Sequence, residues 1–378
     1  MRVRGFLLLS LAVSASLLWA ASGAAAANAS VNDLDVQIYA RQMGVSVAEA
    51  NRELTIQPET AALANDLAAS LGASFAGFWI QHVPDYRLVV ATTGSTALAE
   101  AAVQQAQFDP TVPVDIISAR YSLADLVAVS QDLSSESGRP WDLSVNVQEN
   151  RVELRATSET DVVGFLRTQG RSIPPEARIV TVQHLATKTA SLQLGGGVST
   201  YTCTIGFSVI DRWTNLPAYV SAGHCGTTSL QLSFLPYTQL PFLRRQYGGS
   251  DDEGLFGEAT TTPRNWVYDS SGQRSITGEI AKANQQLGWY VCKFGRVSGY
   301  TCGTIDSLYF YPAGVPGGGF PQFVHVAGAS VAGGDSGGPV YTGNSALGLI
   351  QGTMNFTDLI YTPIDRVEMD LGCTLMRS

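Results

Sequence analysis

The chain has 378 residues, of which 45% are hydrophobic and only 15% are charged. This balance excludes an intrinsically disordered protein, because enough apolar side chains are present to form a sizeable core. The formal net charge of −9 disfavours nucleic acid as the main partner, since the sequence has no basic stripe to neutralise phosphates. Beyond the N-terminus, no apolar run approaches the roughly 20 residues that a membrane-spanning helix needs.

The first 27 residues have the pattern of a secretory signal peptide. Arg2 and Arg4 precede an apolar stretch at 6–19, and the small residues at 20–27 offer cleavage sites. A short membrane anchor is the alternative, but the apolar stretch is too short to span a bilayer. We therefore predict a secreted, extracellular protein without a stable membrane anchor, in which disulfide bonds are permitted.

The composition changes sharply near residue 190. Residues 1–190 contain 9 of the 38 glycines and none of the five cysteines, whereas 191–378 contain the other 29 glycines and all the cysteines. We therefore predict two domains of different class, at 28–190 and 191–378.

Between residues 28 and 190 the pattern alternates helices and strands. Ser46 and Glu49 have the spacing of a capping box. Hairpins are predicted at 75–82 with 87–91 and at 142–147 with 151–156, each followed by a helix, near 96–107 and 159–168. We predict an α/β (α+β) region with two copies of a β-hairpin–helix unit. It contains no catalytic constellation, and the isolated His82 and His184 are assigned packing or surface roles.

Two motifs in the C-terminal half carry the residue types of nucleophilic catalysis. His224 follows an apolar strand and stands next to Cys225, which can fix the backbone there. Ser336 is flanked by glycines, so the unhindered backbone can direct N–H groups at one spot and form an oxyanion hole. Serine is a poor nucleophile alone, so it needs a base such as His224 within hydrogen-bond reach. That base in turn needs a carboxylate, and the acidic run 251–253 lies between the two motifs.

Residues from about 194 to 378 resemble the chymotrypsin-fold serine proteases secreted by bacteria, of the streptogrisin and alpha-lytic protease kind. The matching stretches are, in chain order, 203–207, 222–225, 252–256, 299–305 and 334–339. The region before residue 190 resembles, more loosely, the long pro-region of that family. The resemblance implies an all-β protease domain of two antiparallel six-stranded β-barrels, with the catalytic groups in the cleft between them.

Carried onto this chain, the resemblance implies a Ser-His-Asp triad. Ser336 would be the nucleophile, and His224 the general base and then acid. Asp252 would orient His224; it is preferred to Asp251 because it precedes the x-Gly-apolar-apolar run that follows the family's aspartate. The backbone N–H groups of Gly334 and Ser336 would form the oxyanion hole.

The resemblance also implies supporting contacts. Asp335 would be buried beside the nucleophile and paired with Lys293, for which an exposed lysine is the alternative. Cys373 would be left over, either as a buried thiol or as an intermolecular contact. The implied disulfides are Cys203–Cys225 and Cys292–Cys302.

The strand after the nucleophile bears on specificity. Gln351, Gly352 and Thr353 occupy the strand that is expected to pair with a substrate strand. Relatives usually carry serine at Gln351, where it supports the triad aspartate, and glycine at Thr353. The Thr353 side chain would narrow the pocket mouth, and residues 330–333 contain no acid. We therefore predict cleavage after small or medium apolar residues rather than after Lys or Arg.

Taken together, these features predict a secreted serine endopeptidase, made as a precursor, that needs no cofactor or metal. Its substrates would be peptides and proteins, and the enzyme would be a monomer. Residues 28–190 would serve as its folding partner and inhibitor, with the cut near 187–194. Two alternatives stay open: a binding protein inactivated by the Gln351 change, and an esterase with the same triad. His325 has no partner motif and is interpreted as structural.

Overall fold

The computed structural model describes residues 32–377 except 107, 136–137, 184, 189–197, 201, 233–237, 250, 258–262, 270–271 and 314–321. The predicted signal peptide, His184 and most of the predicted cut region lie outside the described residues.

Residues 32–188 form a mixed helix-and-strand region, as their pattern predicts. The α-helices are α1 (Asp33–Met43), α2 (Val47–Ile56), α3 (Thr60–Leu71), α4 (Thr96–Gln105), α5 (Leu123–Ser134) and α6 (Glu159–Thr168). Short 3₁₀ turns occupy Gln57–Glu59 and Gly72–Ser74. The strands are β1 (Phe75–Gln81), β2 (Arg87–Thr92), β3 (Val114–Ser118), β4 (Asp142–Asn146), β5 (Arg151–Ala156), β6 (Ala177–Thr181) and β7 (Thr187–Lys188).

Serine caps fix two of the helix starts. The Ser46 side chain accepts the N–H of Glu49 at 3.1 Å, but the Glu49 carboxylate bonds to Arg52 and leaves the predicted capping box half formed. At the start of α5, Ser122 and Asp125 make both bonds of a capping box.

The predicted repeat of a hairpin and a helix is present. Each copy also contains a third strand, which follows the helix. The β1–β2 hairpin and α4 lead to β3, which pairs parallel with β2. The β4–β5 hairpin and α6 lead to β6, which pairs parallel with β5 in the same way. The sequence does not predict β6, because this five-residue strand at the sheet's edge depends on pairing with β5 rather than on its local pattern.

The C-terminal half is built almost wholly of strands. They are β8 (Val198–Ser199), β9 (Thr204–Ile205), β10 (Ser208–Asp211), β11 (Pro217–Ser221), β12 (Leu230–Gln231), β13 (Gln239–Leu240), β14 (Phe242–Gly248), β15 (Asp251–Gly257), β16 (Trp266–Asp269), β17 (Gly272–Ser275), β18 (Gly278–Glu279), β19 (Tyr290–Gly295), β20 (Gly299–Tyr311), β21 (Phe323–Ala327), β22 (Pro339–Thr342), β23 (Ser345–Thr353), β24 (Asp358–Pro363) and β25 (Cys373–Leu375). One helix, α7 (Ile364–Leu371), and 3₁₀ turns at Gly223–Cys225 and Lys282–Asn284 complete it.

Six of these strands close into an antiparallel barrel, in the order β19-β22-β23-β24-β21-β20 and back to β19. Over the described residues, the other part is a five-stranded sheet, β14-β15-β11-β10-β25, accompanied by the short pairs β8–β9, β12–β13 and β16–β17. The all-β fold class is thus confirmed. In place of a second closed six-stranded barrel, the described residues contain the five-stranded sheet, to which the chain's last strand returns.

The two halves share one sheet and one core. Strand β4 pairs antiparallel with β20, so the sheet of the closed barrel continues into β5 and β6. Strand β7 pairs with the end of β23. The largest apolar cluster combines Trp141 and Leu143 of the N-terminal half with Trp289 and Val291 of the C-terminal half. Each half therefore buries apolar surface of the other.

Within the described ranges, no helix has the length and apolar character required to cross a membrane.

Candidate active site

His224 lies in the 3₁₀ turn that directly follows β11. A disulfide between Cys203 and Cys225 ties this turn to the segment before β9. Gly223 must be a glycine, because a Cβ there would lie 2.6 Å from the carbonyl oxygen of Gln246 and 2.9 Å from the backbone nitrogen of Glu253. The histidine is therefore held at the point where the turn crosses β14 and β15.

Strand β15 brings Asp252 to His224. The Asp252 Oδ2 atom lies 2.6 Å from Nδ1 of the ring, and Oδ1 accepts the backbone N–H of His224 at 2.8 Å. The Asp252 side chain is fully buried and that of His224 is 4% exposed. A carboxylate at Nδ1 favours the tautomer with its proton on Nδ1, which leaves the Nε2 lone pair as the basic site. Among the described residues, Nε2 has no hydrogen-bond partner.

The neighbouring carboxylate has a different partner. Asp251 forms an ion pair with Arg366 of α7 at 2.6 Å. Successive side chains of a strand point to opposite faces, so only one of the two aspartates can reach His224.

Glu253 is a further buried acid of this site, and its role is not predicted from the sequence. Its Oε2 atom accepts the backbone N–H of Asp252 at 2.7 Å. Burial, together with the nearby Asp251 and Asp370, holds the pKa of Glu253 well above its ordinary value. Burial therefore favours the neutral form of this side chain, which accepts the backbone N–H of Asp252. A third acid in the run that leads into an apolar strand is the sequence signal for it.

The Ser336 turn packs directly against the segment that carries His224. The carbonyl oxygen of Ser336 accepts the N–H of Thr204 at 2.9 Å and lies 3.9 Å from Sγ of Cys225. Gly337 has φ of +82°, and a Cβ there would lie 2.0 Å from Oγ of Ser221. Only glycine allows this close approach, which brings the Ser336 turn beside residues 221–225.

Backbone bonds fix the turn at the residues that follow each of the predicted oxyanion-hole amides. The N–H of Asp335 donates to the carbonyl of Ala332 at 3.0 Å, and that of Gly337 donates to Ile350 at 2.7 Å. Gly334 has φ of +104°, a conformation that favours glycine. The N–H groups of Gly334 and Ser336, each next to one of these bonded amides, therefore have fixed positions.

Asp335 is fully buried and surrounded by donors. Its Oδ2 atom lies 3.4 Å from Nζ of Lys293 and accepts the N–H of Ala332 at 2.9 Å. Its Oδ1 atom accepts the N–H of Val297 at 2.7 Å, and the Ser298 hydroxyl also donates to the carboxylate. Burial lowers the pKa of Lys293 to about 8, although Asp335 opposes this shift. Lys293 is thus a buried partner of Asp335 rather than an exposed lysine.

The strand predicted to bind substrate is already paired. Lys188 and Thr187 of β7 lie opposite Gly352 and Thr353, in antiparallel register. The first residues of the predicted cut region therefore occupy the edge that a substrate strand would use. Gln351 is buried, and its Oε1 atom has no hydrogen-bond partner in the described part of the chain.

The remaining cysteines are also placed. A second disulfide joins Cys292 of β19 to Cys302 of β20. Cys373 is a buried free thiol, and burial raises its pKa to about 12. Cys373 is therefore a buried thiol rather than an intermolecular contact. Its thiol is unreactive near neutral pH.

Two clusters of the described residues have the composition of metal ligands. Cys203, Cys225 and His224 form the first, but the two sulfurs are bonded to each other and offer no thiolate. Asp251, Glu253 and Asp370 form the second. There Arg366 already neutralises charge, through ion pairs to both aspartates.

The chain is similar to known serine proteases and to a protease pro-region. A family described as "Alpha-lytic protease pro N-terminal" matches residues 48–106. Streptogrisin-C of Streptomyces griseus is 27% identical over 89% of this chain and 73% of its own length. Serine protease 1 of Rarobacter faecitabidus is 24% identical over 94% of this chain and 67% of its own length. Among solved structures, the chymotrypsin of Cellulomonas bogoriensis is 25% identical, covering 49% of this chain and 98% of its own, with a TM-score of 0.39.

Proposed function

Since the comparisons support a serine protease precursor of the streptogrisin and alpha-lytic protease type, we propose that this chain is a secreted serine endopeptidase with a Ser336–His224–Asp252 triad. The observation that carries the proposal is the contact between Nδ1 of His224 and Asp252, which directs the basic Nε2 atom of the ring away from the carboxylate. Residues 1–27 would be the signal peptide, 28–190 the pro-region and 191–378 the protease domain.

The proposed reaction is acyl transfer through an ester on Ser336. Nε2 of His224 takes the proton of the Ser336 hydroxyl as Oγ attacks the peptide carbonyl, and Asp252 stabilises the imidazolium that forms. The N–H groups of Gly334 and Ser336 bind the oxyanion. The imidazolium then gives its proton to the departing amine, which leaves an ester on Ser336. Water, activated by the same ring, hydrolyses that ester and restores the serine.

Covalent labelling tests the triad directly. A fluorophosphonate probe reacts only with an activated serine, so we expect the processed protein to be labelled and the Ser336→Ala variant to remain unlabelled. Failure to label the folded, processed protein would favour the alternative of a binding protein on a protease scaffold. Parallel assays with peptide and ester substrates decide between an endopeptidase and an esterase.

The specificity proposed is for small or medium apolar residues before the cut bond. The Thr353 side chain stands on the substrate strand and is fully buried, as expected if it narrows the site. A peptide library should show cleavage mainly after alanine, valine or leucine, and main cleavage after Arg, Lys or Glu would contradict this.

The pro-region is proposed to help the protease fold and then to inhibit it. Strand pairing of β4 with β20 and of β7 with β23 supports this, since both pairings link the two regions by backbone bonds. Non-local β topologies fold slowly, so a template that pairs with them accelerates folding. We expect residues 191–378 to refold in much higher yield when residues 28–190 are added in trans; equal yields would argue against it.

A further inference from the structure

His325, interpreted from sequence as an isolated structural residue, lies between two aspartates and is two strands away from the substrate strand. It is on β21 and is 4% exposed. Its Nε2 atom lies 3.1 Å from Oδ2 of Asp358, the first residue of β24. Its Nδ1 atom contacts Asp306 of β20, whose side chain is 42% exposed. Phe310 stacks on the ring with centroids 5.1 Å apart.

Asp358 carries this contact to the end of β23. Its Oδ1 atom accepts the Thr353 hydroxyl and the backbone N–H of Met354, the latter at 2.8 Å. Thr353 Oγ1 in turn accepts the N–H of Phe356 at 2.9 Å. One carboxylate therefore fixes both the Thr353 side chain and the turn that follows it.

Thr353 is also the residue whose backbone lies opposite Thr187 in the β7–β23 pairing. The contact chain thus runs from the surface at Asp306, through His325 and Asp358, to the strand edge that a peptide would use. The Asp358 carboxylate is occupied by internal donors, so it is not available to bind a basic substrate side chain.

We propose that His325 is a positioning residue for substrate binding: its imidazolium bridges Asp306 and Asp358 and so holds Thr353 and the turn at 353–358 in the conformation that accepts a peptide strand. This inference rests on the proposed protease function and adds a specificity network to the same site.

The proposal requires a charged ring. An imidazolium has two N–H donors, one for each carboxylate, whereas neutral imidazole has only one. Burial lowers the pKa of His325, but the charges and hydrogen bonds of Asp306 and Asp358 outweigh it and raise the pKa to about 9. In the described structure these two carboxylates, from β20 and β24, are the charges that act on the ring. The bridge is therefore complete at neutral pH and is lost as the pH rises through about 9.

Steady-state kinetics of the secreted, processed enzyme against pH test this. With a tetrapeptide p-nitroanilide ending in alanine, we expect KM to rise about tenfold as the ring loses its proton, because a charge-assisted hydrogen bond is lost. Lys293 titrates in the same range, so any change in kcat should be the same in Asp306→Asn as in the unchanged enzyme. Asp306→Asn removes one of the two stabilising charges at an exposed position, so the rise in KM should begin about one pH unit lower.

Glu279→Gln is the matched control, since it removes a carboxylate from β18 of the same sheet and leaves every contact of His325 intact. Its KM profile should match that of the unchanged enzyme. A KM that stays flat to pH 10, or an Asp306→Asn profile identical to the control, would overturn the proposal while fluorophosphonate labelling of Ser336 stays positive. Absence of labelling would instead reject the protease function itself, and the inference with it.

Discussion

Asp251 and Asp252 are adjacent carboxylates on β15 that have different partners. We therefore expect their substitution to have different effects on catalysis. Asp252 holds His224 through two hydrogen bonds, whereas Asp251 pairs with Arg366. Asp252→Asn should keep a similar shape but favour the wrong imidazole tautomer. We expect kcat to fall by about 10⁴-fold at neutral pH.

Asp251→Asn is the control for this substitution, because it removes the same charge from the adjacent residue. Its kcat should stay within a few fold of the unchanged enzyme. Equal losses in the two variants would show that Asp252 acts only through the fold.

His82 belongs to a second network that joins the two halves. Its Nδ1 atom lies 2.6 Å from the Tyr39 hydroxyl, which also contacts the Glu53 carboxylate, and its Nε2 atom contacts the carbonyl oxygen of Gly288. These three contacts need three hydrogens. An ionised Glu53 supplies none, and Tyr39 and a neutral His82 supply one each, so the complex must hold one further proton.

Binding of the separated pro-region should therefore depend on pH. Burial raises the pKa of Glu53 and lowers that of His82, so burial disfavours the charged form of each side chain. Because the complex must hold one further proton, we expect inhibition of the mature protease to weaken as the pH rises, by up to about tenfold per pH unit.

His82→Gln is the control for this prediction, since an amide can donate to Gly288 without titrating. Its inhibition constant should change much less between pH 6.5 and 8 than that of the unchanged pro-region. Proton uptake of zero, measured by calorimetry in buffers of different ionisation enthalpy, would contradict the proton count.

At the level of whole elements, β7 docks on β23 through its backbone. Proline cannot donate a ladder hydrogen bond, and in an antiparallel pair only alternate residues exchange both bonds. In the two-residue strand β7, one of Thr187 and Lys188 is the residue that exchanges both bonds. A proline substitution at that residue should weaken inhibition of the protease by the pro-region about tenfold. Alanine at the same positions should change it less than twofold. If the proline variants inhibit as well as the alanine ones, β7 does not hold the pro-region in the substrate groove.

Elements with a strong local pattern could be predicted from the sequence, and those that depend on distant partners could not. The β1–β2 and β4–β5 hairpins and the helices after them agree with the prediction to within two residues. By contrast, β6 and the return of β25 to the five-stranded sheet depend on pairing across long stretches of chain.

The same distinction holds within the site. The sequence predicts His224, Asp252 and Ser336 because each lies in a short, distinctive motif. Glu253 is marked only by its place in an acidic run. From the sequence alone, His325 is interpreted only as a structural residue. Its partners Asp306 and Asp358 lie 19 and 33 residues away and share no motif with it.

At the scale of the whole molecule, a buried ion pair fastens the first helix to the protease. Asp35 of α1 contacts Nη1 and Nη2 of Arg274 at 2.7 and 2.9 Å, and the Tyr300 hydroxyl also donates to it. Arg274 keeps its ion pair with Asp269 at 2.7 Å, so loss of the Asp35 charge leaves the two terminal guanidinium nitrogens without a carboxylate, at a cost of about 3 kcal/mol. Asp35→Asn should therefore weaken binding of the pro-region to the protease by about a hundredfold or more.

Asp33→Asn on the same helix is the matched control, because Asp33 is exposed. Inhibition assays with the two pro-region variants should separate them by at least about tenfold. Similar inhibition constants would show that the ion pair adds nothing to the affinity.

The apolar cluster that contains Trp141 and Trp289 has a consequence for when the enzyme becomes active. A single cut in the connecting segment leaves all of those side chains in contact, so the severed fragments stay together and the groove stays blocked by β7. The rate at which the pro-region fragment is degraded then determines when proteolysis begins after secretion. A culture should therefore accumulate cleaved but inactive protein before any activity is detected.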